Sequence, residues 1–95
     1  MFIIDLTYIK PMGEVEKYLV EHRAYLDRHY ESNNFICSGR KNPTTGGIIL
    51  CNAKDIKEVE KIIDEDPFKV NEIAAYSVLE FNPTKYAEKF KSFVE

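Results

Sequence analysis

The chain has 95 residues, 44% of them hydrophobic and 31% charged, with a formal net charge of −3. This length fits a single domain spanning 1–95 and excludes two independent ones, and the apolar share excludes a disordered chain. The mildly acidic balance excludes the basic surface that a general nucleic-acid binder carries.

Phe2–Tyr8 (FIIDLTY) is β-branched and aromatic, which predicts a first strand. Pro11 and Gly13 close it. Val15, Tyr18, Leu19, His22, Leu26, His29 and Tyr30 then recur at three- and four-residue spacings. They predict one amphipathic helix ending at Ser32-Asn33-Asn34. Phe35–Arg40 (FICSGR) predicts strand two and Ile48–Cys51 strand three, joined by a Pro- and Gly-containing loop as a hairpin. A turn centred on Thr44 would set Cys37 opposite Cys51 and Ser38 opposite Leu50.

A second helix is expected near Asp55, with Ile56, Val59, Ile62 and Ile63 as its stripe. Asp66-Pro67 stops it, because the residue before a proline avoids helical angles. Phe68–Asn71 reads as a helical turn and Ile73–Phe81 as strand four. Thr84–Val94 is expected to be a last short helix.

This order is the split βαβ pattern of the ferredoxin-like fold. It predicts an α+β protein with a four-stranded antiparallel sheet, helices on one face and a C-terminal helix. An antiparallel sheet with one wet face alternates apolar and polar residues. Strands two and three do not alternate: Phe35 and Cys37 are assigned to one side and Ile36 to the other, and Ile48 and Leu50 oppose Ile49 and Cys51. A chain of this size buries roughly 60–70% of its unfolded surface, so its core is thin. A homodimer packed through the sheet faces is therefore expected.

No apolar run approaches the ~20 residues of a membrane span. Asp5 interrupts the apolar start with no basic segment before it, unlike a signal peptide. A cytoplasmic protein with no membrane partner is expected, with Cys37 and Cys51 as reduced core thiols. No metal site is expected, since the cysteine spacing matches no zinc ligand pair and His22 and His29 stand two helical turns apart.

Among residues that could carry chemistry, His22 lies on the apolar stripe of the first helix. It is open to two readings: a core histidine with a satisfied hydrogen bond, or a partly buried acid or base. Asp66, before Pro67-Phe68, caps a turn or serves a site. Asp5, mid-strand among apolar residues, either faces a pocket or is wet on an edge strand. Ser38, Gly39 and Arg40 end strand two with a hydroxyl, a position open to close approach and a guanidinium fork. The other reading of that triplet is an ordinary hairpin. His29, near the helix end, is expected to meet the last carbonyls or solvent.

His22-Arg23-Ala24-Tyr25-Leu26, Ser38-Gly39, Gly46-Gly47-Ile48-Ile49 and Asp66-Pro67-Phe68 together resemble the YciI-related (YCII) family, over Phe2 to about Phe81. Each element is weak alone; their order and spacing are specific. The resemblance implies the dimeric α+β barrel superfamily. It also implies an active-site pair formed by the helix-one histidine and the Asp-Pro aspartate, here His22 and Asp66. Arg40 departs from the family pattern, which has proline there; an anionic ligand is one reading of that change.

The expected function is a small enzyme without a cofactor. His22 and Asp66 would do acid–base chemistry of lyase or isomerase type on a small polar or anionic metabolite. Ser38, Gly39, Arg40 and Asp5 would bind the substrate. The alternative is a non-catalytic module that binds a small ligand through the same pocket.

Overall fold

Residues Phe2–Tyr8 form β1, an interior strand of a four-stranded antiparallel sheet, in the computed structural model, which describes residues 1–95. The other strands are β2 (Phe35–Arg40), β3 (Gly46–Cys51) and β4 (Ala74–Glu80), in the order β2-β3-β1-β4. The helices are α1 (Met12–Lys17), α2 (Leu19–Glu31), α3 (Ile56–Asp64) and α4 (Pro67–Val70). They follow the strands in the predicted order, so the fold is the ferredoxin-like α+β arrangement.

The core forms where the helices meet one face of the sheet. Phe2, Ile4 and Leu6 alternate inward along β1, and Ile49 and Cys51 lie beside them on β3. Val15, Tyr25, Val59, Ile62, Ile63 and Phe68 close over them from the helices. Side chains of this kind each stabilise the fold by about 1.5–3 kcal/mol on full burial.

Several local details differ from the sequence reading. The first predicted helix is two helices, interrupted at Tyr18, whose φ of −111° and ψ of 8° leave the helical region. The Tyr18 carbonyl still accepts from His22 N–H at 2.9 Å, so the apolar stripe continues across the break. Tyr25 belongs to that stripe as well. It is 1% exposed and its hydroxyl donates to the Ile62 carbonyl at 2.8 Å, tying α2 to α3. Asp55 caps α3 by accepting from Glu58 N–H.

The β2–β3 hairpin has a different register from the symmetric one. Cys37 faces Leu50 and Ser38 faces Ile49, with an irregularity between Phe35 and Cys37. The extra residue in β2 is a bulge. It sends Phe35 to the helix side opposite Cys51 and Cys37 to the other face, where the sequence reading had them together. Gly46 extends β3 beyond the predicted start because β1 runs so close there. A Cβ at Gly46 would stand 1.9 Å from the Leu6 carbonyl oxygen, a distance only glycine permits.

The last short helix expected over Thr84–Val94 is present but shorter, a 3₁₀ helix covering Glu88–Phe93. None of its residues is fully buried, so little packing supports the costly first turns of an α-helix. The Phe93 carbonyl accepts from Asn52 Nδ2 at 3.3 Å.

The face of the sheet away from the helices is apolar and uncovered by this chain. Register places Ile3, Ile48, Leu50, Leu79 and Cys37 on it. Leu79 is 63% exposed, Phe81 38% and Ile48 37%. No helix of the chain is long and apolar enough to cross a membrane.

Candidate functional site

The site begins at the turn between α3 and β4. Asp66 precedes Pro67, which suits the first helical position because its ring presets the backbone and it has no N–H to satisfy. Asp66 therefore caps α4, with Oδ1 accepting from Phe68 N–H at 3.0 Å. The same oxygen lies 2.8 Å from His22 Nδ1, and Oδ2 accepts from the Tyr76 hydroxyl at 2.6 Å. Asp66 is 0% exposed, yet three donors from α2, α4 and β4 surround its carboxylate. A buried carboxylate is tolerated when its lone pairs are filled in this way.

Two of those donors are fixed. The Phe68 backbone can only donate. Burial and the neighbouring Asp66 charge hold the Tyr76 hydroxyl far above the usual tyrosine range, so it stays protonated and donates. Asp66 is left as a pure acceptor toward His22. A neutral His22 then carries its proton on Nδ1 and leaves Nε2 with a lone pair. The imidazole is stacked on the Phe68 ring, with centroids 4.1 Å apart and planes within 7°. Its orientation is thus set by both a hydrogen bond and a ring contact. No buried side-chain nitrogen lacks a partner, and Nε2 makes no bond within the protein, so Nε2 is open to solvent.

His22 lines a cleft of about 570 Å³ between α1, α2 and the helix-facing side of β1, β2 and β3. That is within the usual range for a small-molecule site. Leu6, Val15, Leu19, Leu26 and Ile49 supply an apolar wall, and Glu16, Arg23 and Arg40 are its charged residues.

The sequence-predicted residues divide as follows. His22, Ser38, Gly39 and Arg40 all line the cleft, and Asp66 stands behind His22. Ser38 faces the helices and its hydroxyl is 2.5 Å from that of Tyr30. Gly39 contributes backbone only; a Cβ there would meet nothing within 4 Å, so no close approach within this chain requires glycine. Asp5 does not join the cleft. β1 is interior, and Asp5 lies on its opposite side, ion-paired with Lys41, so the edge-strand and pocket readings both fall. Strand alternation explains this: Leu6 reaches the cleft and its neighbour Asp5 points the other way.

His29 also departs from expectation. It is buried against the Tyr25 and Phe35 rings, with Nε2 3.0 Å from Glu65 Oε1 and Nδ1 accepting from Asn34 Nδ2 at 3.1 Å. Sequence reasoning missed Tyr76 and Arg23 as site residues. Tyr76 alternates inward on β4, as Val78 does, but only the fold reveals that this face meets Asp66. Arg23 directly follows His22 on α2, but successive helical residues do not share a face, so adjacency alone did not place it at the site. No three His, Cys, Asp or Glu side chains converge as a metal-ion ligand set.

Residues 1–82 match the family model described as the YCII-related domain. No curated protein matches the chain. Among solved structures, the chain is similar to the 5-chloro-2-hydroxyhydroquinone dehydrochlorinase TftG from Burkholderia phenoliruptrix AC1100, solved in complex with 2,5-dihydroxybenzoquinone. The similarity covers 94% of this chain and 98% of that one, at 18% identity and a TM-score of 0.72. At that identity the likeness is one of fold.

Proposed function

The chain belongs to the YCII-related domain family, and we propose on that premise that it is a small cofactor-independent enzyme of lyase or isomerase type acting on a small polar or anionic metabolite. The observation that carries this reading is the buried 2.8 Å contact between His22 Nδ1 and Asp66 Oδ1, with Nε2 open beside a cleft of small-molecule size. His22 Nε2 takes a proton from the substrate as general base. Asp66 accepts the Nδ1 hydrogen bond and stabilises the imidazolium that forms. In an elimination the substrate's electron pair then expels a leaving group. In an isomerisation the imidazolium returns the proton at another position. Arg40 and the backbone at Gly39 hold the substrate, with Ser38 positioned through Tyr30. The fold neighbour is named as a dehydrochlorinase, a reaction that loses a proton and chloride, and that chemistry is within reach of such a pair.

The working unit is a homodimer that buries the apolar sheet face carrying Ile3, Ile48, Leu50 and Leu79. Its two free thiols suit the reducing cytoplasm. A non-catalytic module is the second reading: the same cleft, walled by Leu6, Val15, Leu19, Leu26 and Ile49, would hold a small ligand without converting it.

A thermal-shift screen of small organic acids and neutral metabolites on wild type and His22→Gln, followed by turnover assays on the hits, separates the two. Enzymatic function predicts hits that wild type converts and His22→Gln binds without converting. Equal turnover by both proteins contradicts the role of His22. Binding without turnover in either supports the module.

A further inference from the structure

The chain has ten lysines and three arginines, yet no lysine lines the cleft and two of the arginines do. Arg23 reaches it from α2 and Arg40 from the end of β2, so the guanidiniums come from two different elements. Neither makes an ion pair or hydrogen bond with any protein side chain, whereas Lys17 and Lys41 are both paired with carboxylates. Glu16 is the one carboxylate on the lining and is not paired with either arginine. The lining therefore has excess positive charge in a chain whose net charge is −3. Arginine is the side chain suited to planar, bidentate recognition of carboxylates, and two unpartnered forks leave that capacity free. Both are exposed, while His22 is buried, so the cations stand at the mouth and the imidazole lies deeper. Leu6, Leu19 and Leu26 line the same cleft.

We propose that Arg23 and Arg40 clamp the carboxylate of an organic acid whose apolar body extends along Leu6, Leu19 and Leu26 toward His22. The proposal rests on the reading of this cleft as the functional site and adds the substrate class. It also fixes orientation: the carbon that reacts at His22 Nε2 lies in the body of the molecule, away from the carboxylate. The apolar body and the charged head each contribute, so neither alone binds well.

The test is a titration followed by NMR with three probes: benzoate, its neutral isostere benzamide, and acetate, which is the head without a body. Benzoate is expected to bind at least tenfold more tightly than either of the others and to shift the guanidinium Nε–H signals of both arginines. Arg23→Gln and Arg40→Gln, both at exposed positions that leave the core untouched, are each expected to weaken benzoate at least fivefold and leave benzamide unchanged. Arg→Lys at either position is expected to recover only part of the loss. Equal binding of benzamide and benzoate, unchanged benzoate affinity in the glutamine variants, or no binding of benzoate would each overturn the clamp. Loss of benzoate binding in His22→Gln alone would also overturn the clamp, while leaving the acid–base reading of His22 standing. That reading fails separately, on turnover by His22→Gln.

Discussion

Replacing Tyr76 by phenylalanine removes one hydroxyl and nothing else from the site. The hydroxyl donates to Asp66 Oδ2 at 2.6 Å, and Asp66 is wholly buried. A hydrogen bond to a charged group is worth about 1.5–3 kcal/mol, and its loss leaves a buried carboxylate oxygen without a donor. Tyr76→Phe is therefore expected to lower unfolding free energy at pH 7 by about 2 kcal/mol. In a chain of this size that lowers Tm by roughly 8–16 °C. The pH dependence gives a second, independent check. Burial and Asp66 keep the folded Tyr76 protonated well beyond pH 10, where the unfolded tyrosine ionises. Above that pH the unfolded state binds fewer protons than the folded state, so stability falls as pH rises. This one group contributes up to about 1.4 kcal/mol per pH unit to that fall. The variant lacks the contribution, so the stability gap between wild type and Tyr76→Phe is expected to narrow from about pH 10 upward. Urea unfolding at pH 7, 10 and 11 measures both effects. A loss below about 0.5 kcal/mol at pH 7, or a gap that stays constant through pH 11, would refute the account of Asp66 as a carboxylate saturated by donors.

Gly46→Ala is expected to destabilise the protein by several kcal/mol or prevent folding, since its Cβ would collide with the β1 backbone. Gly39→Ala, with open space around its Cβ, is expected to stay within about 0.5 kcal/mol of wild type by thermal unfolding. Cys51 is wholly buried and burial pushes its thiol up to about 11, so at pH 8 it is expected to react with a thiol reagent only as fast as the protein unfolds, while the exposed Cys37 labels in the native state; rapid native addition of a second label, read by mass spectrometry, would contradict the placement of Cys51. Leu79→Glu, on the uncovered sheet face, is expected to convert a dimer of the 11.1 kDa chain to monomer in light scattering. A wild type that is already monomeric at micromolar concentration would remove the dimer from the proposal.

Strand and helix order were legible in the sequence because the periodicities are strong: Phe2, Ile4 and Leu6 alternate, and Val59, Ile62 and Ile63 form a helical stripe. The break at Tyr18 was not, since a single non-helical residue leaves the spacing on either side intact. The β2 bulge was equally hidden: inserting one residue changes which face Cys37 occupies without changing composition. In the C-terminal segment Tyr86, Phe90 and Phe93 carry a helical spacing, and only Glu88–Phe93 becomes helical, as a 3₁₀ helix with no residue fully buried.

At the site, His22 and Asp66 were each legible as candidates from their positions, and the family resemblance implied their pairing; their 2.8 Å contact links α2 to the turn before α4. That contact spans distant parts of the chain, which no local pattern encodes. Asp5 shows the limit of judging by oddity alone. A carboxylate among apolar residues does need a partner, and here the partner is Lys41 on the far side of the sheet from the cleft. His29 likewise found a carboxylate, Glu65, one residue before Asp66, through tertiary packing that its position near a helix end did not foretell.

The central claim is that Asp66 forces His22 to keep its proton on Nδ1 and present a bare Nε2 to the cleft. Long-range ¹H–¹⁵N NMR of the imidazole, recorded at a pH where His22 is neutral, reads this directly. The account predicts a protonated Nδ1 and an unprotonated Nε2 in wild type. A neutral His22 with its proton on Nε2, or a rapid mixture of the two tautomers, would contradict it.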